Sequence, residues 1–168
     1  MADGTLKVGT ITNSAGSGNI TIGSGVTLLS NTPAFEAKMS ANQTISTGTP
    51  TKIVYDTEIF DTDNCYDSTN YRFTPTEAGK YQVGMQVRID GDPLQAVSLY
   101  FYKNGSENKW IQFYCANTGA NQSLGVFTAI VELNGSTDYL EAYVNLAATT
   151  TVFGNNNSNY FYAYKIGA

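Results

Sequence analysis

Asn70–Ile89 sets the strongest constraint on the fold. After a corner at Thr74–Gly79, Tyr81, Val83, Met85, Val87 and Ile89 fall on one face. Lys80, Gln82, Gly84, Gln86 and Arg88 fall on the other. Strict alternation of this kind is the period of a half-buried strand, not of a helix. Before the corner, Tyr71 and Phe73 face one way and Arg72 the other. The corner itself holds Pro75 and Gly79, the residue types that best bend a backbone. The stretch is therefore strand, corner, strand.

The same pattern continues along the chain. Strands are expected at Pro33–Ser40, Lys52–Asp56, Ala96–Tyr102, Trp110–Cys115, Leu124–Leu133, Tyr139–Leu146 and Tyr160–Ile166. Ala41–Pro50, Thr57–Thr69 and Val152–Asn159 have the polar composition of loops. Asn104-Gly105 and Asn134-Gly135 suit tight hairpins, because both residue types tolerate positive φ. No segment keeps a helical period with a cap. About ten short strands with turns at this spacing imply an all-β, two-sheet sandwich or barrel.

Residues 1–32 differ from the rest. Only Asp3 and Lys7 are charged there, and the first aromatic is Phe35. Short β-prone pieces alternate with Gly, Ser and Asn turns, and large side chains are too few for a separate core. Ile11, Ile20, Ile22, Val26 and Leu28 recur at intervals that a plain linker does not need. They suit an extended arm that is ordered by adding strands to a partner. Fully extended, such an arm reaches roughly 100 Å. The expected division is 1–32 as arm and 33–168 as domain.

Composition removes several function classes. The chain has a net charge of −5 and an acidic pI near 4.5, whereas a nucleic-acid partner calls for a basic face. No apolar run is long enough to cross a membrane as a helix, so no insertion is expected. The absence of His removes the commonest general base and zinc ligand. No nucleophile elbow or phosphate-binding loop occurs, so no enzyme is expected. Cys65 and Cys115 are too few for a disulfide framework and are read as buried thiols.

Phe35, Ala37, Tyr55, Asp56, Tyr66, Asp67, the Phe73-Thr74-Pro75…Gly79-x-Tyr81 motif, Lys103-Asn104-Gly105 and the terminal Tyr160–Lys165 follow a known order. From Pro33 to Ala168 the chain resembles the complement C1q and tumour-necrosis-factor-like jelly roll. The loop after the long apolar strand is Leu-Asn-Gly-Ser, and the last strand is Tyr-Phe-Tyr-Ala-Tyr; both depart from the family pattern. No collagen-like stalk stands in residues 1–32, which separates the chain from secreted animal members. Residues 1–32 resemble N-terminal stretches of tailed-bacteriophage virion proteins. The joint resemblance implies a homotrimeric virion protein, a head decoration, head fibre or tail fibre, made in the host cytoplasm. Its partners would be other capsid or tail proteins, through the arm, and host-surface glycans. The alternative is an extracellular or cell-surface C1q-like adhesion module.

Candidate site residues follow. The strands at Leu124–Leu133 and Tyr160–Ile166 are apolar on both faces, as strands buried on both sides are. Phe127, Ala129, Tyr162 and Tyr164 are the expected trimer contacts. Trp110, Tyr114, Tyr139 and Tyr143, with amides in Asn155–Asn159, are the expected ligand-binding residues, because ring faces and directed amides suit sugars. No cofactor is expected. The Asp61/Asp63/Asp67 loop lacks the Gly and Glu of an EF-hand and is read as solvated turn carboxylates. The family resemblance adds Ca²⁺ at Asp90 and Asp92 as the one metal to examine.

Overall fold

The computed structural model describes Ser24 and residues 32–90, 95–115, 122–154 and 158–167. Ile11, Ile20, Ile22, Val26, Leu28, Asp92 and the amides of 155–157 lie outside the described residues. The chain divides into Met1–Ser30 and Asn31–Ala168, and the second unit is described here.

Its strands, in chain order, are β1 (Ala34–Lys38), β2 (Gln43–Ile45), β3 (Thr51–Lys52), β4 (Thr57–Asp61), β5 (Tyr66–Asp67), β6 (Arg72–Phe73), β7 (Ala78–Asp90), β8 (Gln95–Lys103), β9 (Ser106–Cys115), β10 (Gln122–Asn134), β11 (Leu140–Leu146), β12 (Thr150–Val152) and β13 (Tyr160–Gly167). A seven-stranded sheet runs β2-β12-β7-β13-β1-β4, with β10 also paired to β7. A six-stranded sheet runs β5-β6-β11-β8-β9, with β3 beside β11. The pairs are antiparallel. The fold is an all-β jelly roll.

The alternation in β7 is realised in full. Tyr81, Val83, Met85, Val87 and Ile89 are completely buried between the sheets. An aromatic cluster closes the core around them. Phe35 stacks on Tyr66 at 4.4 Å and meets Phe161 edge-on at 5.0 Å. Phe101 stacks on Phe127 at 4.8 Å.

The corner motif has a physical cause. Tyr81 donates its phenol proton to the Glu77 carbonyl, 2.7 Å away, and so ties the new strand to the bend. Burial, then the nearby Glu77 charge, pushes that phenol up to about 12. Gly79 sits at φ 153°, and a Cβ there would collide with the Gly167 carbonyl. Tyr71 is not a strand residue: its φ of 56° puts it in the turn before β6.

Asn104 and Gly105 take φ values of 54° and 77° and form the expected hairpin between β8 and β9. Asn134-Gly135 does not form a hairpin. β10 pairs with β7 and β11 pairs with β8, so the segment between them crosses from one sheet to the other. The Asn134 side chain accepts from the backbone N–H groups of Ser136, Thr137 and Asp138, which fixes the crossing. Thr57–Thr69, expected as loop, contains β4 and β5. Lys52–Asp56, expected as a strand, keeps only Lys52 in β3, although Ile53 and Tyr55 are fully buried. Cys65 and Cys115 are both buried and free.

Asp138 anchors the crossing segment. Its carboxylate takes Lys103 Nζ at 2.8 Å, Asn104 Nδ2 at 2.8 Å and the Asn134 N–H at 3.0 Å. The Lys103 and Asn104 bonds hold its carboxyl below the usual carboxylate range. The folded chain therefore gives up this proton more readily than the unfolded one. The resulting stability is complete at neutral pH and is lost as pH falls below about 4. Asp138→Asn is expected to lower stability at pH 7 by about 1 kcal/mol, because Lys103 is partly solvated. It should also narrow the gap between urea midpoints at pH 7 and pH 3; an unchanged gap would contradict this role.

Candidate functional surfaces

Two sheet faces point away from the core. On the seven-stranded sheet, β10 and β13 flank β7, and their register aligns side chains in rows. Val126, Gln86 and Tyr160 form one row; Thr128, Gly84 and Tyr162 the next; Ile130, Gln82 and Tyr164 the third. Tyr160, Tyr162 and Tyr164 make a ladder with ring centroids 6.0 and 6.3 Å apart. The Tyr162 ring lies across Gly84, where a Cβ would overlap it. This is the use of a strand glycine that lets a neighbour approach the backbone. Tyr160 donates to Gln86 Oε1 at 2.9 Å. Leu124, Val126, Ile130, Tyr164 and Ile166 are each about half exposed.

β13 presents Tyr162 and Tyr164 outward, as the sequence suggests, while Phe161 and Ala163 are buried. In β10 the phase is opposite to the expectation. Phe127 is buried against Phe101, and Ala129 packs against the core. Their partners across the ladder are Met85 and Val83, which already face inward, so Phe127 and Ala129 must follow. Leu124, Val126 and Ile130 are the outward residues.

On the six-stranded sheet, the outer face is aromatic. Tyr143 stacks on Tyr102 at 4.2 Å, Tyr102 meets Tyr100 edge-on at 6.0 Å, and Tyr100 faces Trp110 at 6.1 Å. Trp110 and Tyr114 project from β9, with relative exposures of 54% and 67%. Of the four sequence candidates, Trp110 and Tyr143 share this row through Tyr100 and Tyr102. Tyr114 lies further along β9. Tyr139 is apart from the row, under the guanidinium of Arg72 at 4.1 Å.

Glu141 is the buried charge of this face. It takes Lys52 at 2.7 Å and Arg72 at 3.0 Å on one carboxylate oxygen. Tyr143 donates to the other at 3.3 Å. Burial, then the Glu141 charge, pushes the Tyr143 phenol up to about 12. These ion pairs fasten β3 and β6 to β11, while Arg72 Nε is buried without a hydrogen-bond partner. The sequence hides this cluster, since its members come from positions 52, 72 and 141.

Asp90 is half-buried at the end of β7, and its carbonyl accepts from Thr150. Among the described residues no group of three or more His, Cys, Asp or Glu could hold a metal. Asp61 accepts the Tyr66 and Asp63 N–H groups; burial raises its carboxyl, and those bonds with the Cys65 contacts outweigh burial and lower it. It is a loop anchor. Among the described residues no helix is long and apolar enough to cross a membrane.

The fold of this jelly roll is C1q/tumour-necrosis-factor-like. The fold is similar to the globular domain of zebrafish complement 1qA protein, with TM-score 0.56 at 12% identity, covering 80% of this chain and 97% of that one. It is similar to Eiger TNF from S. frugiperda, with TM-score 0.54 at 13% identity, covering 80% and 91%. In sequence the chain is 29% identical, over 141 residues, to the phage-like element PBSX protein XkdV of Bacillus subtilis (strain 168). That match takes in 76% of this chain and 20% of the relative, so the chain spans about a fifth of the relative's length. No family model matches.

Proposed function

We propose that this chain is a non-enzymatic structural protein of a phage particle. Residues 1–32 attach to other virion proteins, and the jelly roll assembles as a homotrimer that displays its six-stranded sheet outward. The observation that carries the virion role is the similarity, along most of this chain, to a protein of a phage-like element. The trimer is supported by the outward apolar rows of β10 and β13, since large exposed apolar patches mark interfaces. The solved neighbours in fold are a TNF and a complement globular domain, which favours display and binding over catalysis.

Deleting residues 1–32 in the parent phage tests the arm. The truncated chain is expected to remain trimeric in solution and to be lost from purified particles. Incorporation at the level of the full chain would overturn the attachment role.

A further inference from the structure

β9 carries Trp110, Gln112 and Tyr114 in alternation, all on the outer face of the six-stranded sheet. An amide between two exposed rings is set against a polar row on the neighbouring strands. Gln112 pairs across to Ser98, and Ser98 pairs across to Asn145. Gln112 Nε2 donates to Ser98 Oγ at 3.1 Å. Asn145 Oδ1 is buried and has no hydrogen-bond partner. Directly at this row is a shallow cavity of ≈ 130 Å³, whose lining includes Gly48, Ala96, Ser98, Gln112, Asn145 and Ala147.

From this geometry we propose that the row binds a neutral pyranose saccharide. Asn145 Oδ1 is an acceptor at this cavity that no other residue takes up, and a ligand hydroxyl or amide N–H entering the cavity can donate to it. The small walls of Gly48, Ala96 and Ala147 admit a hydroxymethyl or acetamido group beside it. Trp110 and Tyr114 offer ring faces on either side for the apolar face of a sugar. Among the described residues no charged side chain lines the cavity, which favours a neutral ligand over a phosphate or carboxylate. The nearby charges of Lys52, Arg72 and Glu141 are already spent on one another. A second copy of the chain is the poorer occupant, because the outward apolar rows lie on the opposite sheet.

The inference deepens the display role and rests on it only for its setting; binding is read on the full chain in solution, apart from incorporation into particles. Trp110 is the single tryptophan, so its fluorescence reports on this site alone. Titration with chitotetraose, cellotetraose, mannotetraose and galactotetraose is expected to give a saturable change with at least one. Asn145→Ala and Tyr114→Ala, both at positions outside the core, should each weaken that binding about tenfold. Silence with all four sugars overturns the proposal. So does binding that both variants leave unchanged, or binding that an anionic oligosaccharide outcompetes.

Discussion

A chain carrying Val126→Glu and Ile130→Glu is expected to be a folded monomer, and the parent a trimer. Both residues lie on β10, outward and about half exposed, so the core under them is untouched. Burying the exposed half of each aliphatic side chain in a subunit contact contributes about 1 kcal/mol, and a trimer repeats each contact three times. Replacing them with carboxylates removes those contributions. It also forces unpaired charges out of water, or close to their own copies, which costs several kcal/mol more. Light scattering should show the mass falling to one third at micromolar concentration, with the circular dichroism of the fold retained. A parent that is already monomeric, or a variant that stays trimeric, would remove this face from the assembly. Phe127→Leu is the matching control: it alters the core-facing side of the same strand and should leave the trimer in place.

That pair of variants also shows what a sequence can and cannot disclose. The alternation in β7 placed five residues in the core, and all five are there. The apolar character of both faces of β10 was equally visible. Which of its faces looks inward was not, because alternation gives a period and leaves the phase open. The phase is set by pairing: Phe127 lies opposite Met85 and Val126 opposite Gln86. That contact joins residues about forty positions apart, and nothing local in β10 encodes it. Asn134-Gly135 departs from a hairpin for a related reason. The dipeptide suits a tight turn, yet the strand before it pairs in one sheet and the strand after it in the other. Asn134 then caps three backbone donors of a crossing segment.

The candidate sugar site was legible in part. Trp110, Tyr114 and Tyr143 stood out because they are large and aromatic. Ser98, Gln112 and Asn145 are ordinary polar residues of ordinary strands. They acquire meaning only when β11, β8 and β9 align them and leave Asn145 Oδ1 without a donor. Tyr139 looked equivalent in sequence and is engaged elsewhere by Arg72.

The second large effect is expected at Phe161. Its ring is fully buried and meets Phe35 at 5.0 Å, Tyr55 at 5.7 Å, Tyr66 at 6.2 Å and Phe101 at 6.1 Å. Phe35 belongs to its own sheet, while Tyr66 and Phe101 belong to the other, so this ring joins the two layers. Phe161→Ala should cost about 3–5 kcal/mol, through lost transfer energy and a cavity that rigid sheets cannot close. That is a large share of the roughly 5–15 kcal/mol that holds a typical domain. Phe161→Leu keeps most of the volume and should cost about 1–2 kcal/mol. Denaturant unfolding of each variant in the Val126→Glu/Ile130→Glu background measures the core free of assembly. A loss below about 1 kcal/mol for Phe161→Ala would mean that the layers are not joined here. In the parent background Phe161→Ala should weaken the trimer too, because Tyr160 and Tyr162 stand on either side of it along β13. One strand thus carries core residues and proposed contact residues in alternation. A cavity-forming variant beside the proposed contact residues lowers stability and assembly together, whereas a variant of the outward residues lowers assembly alone.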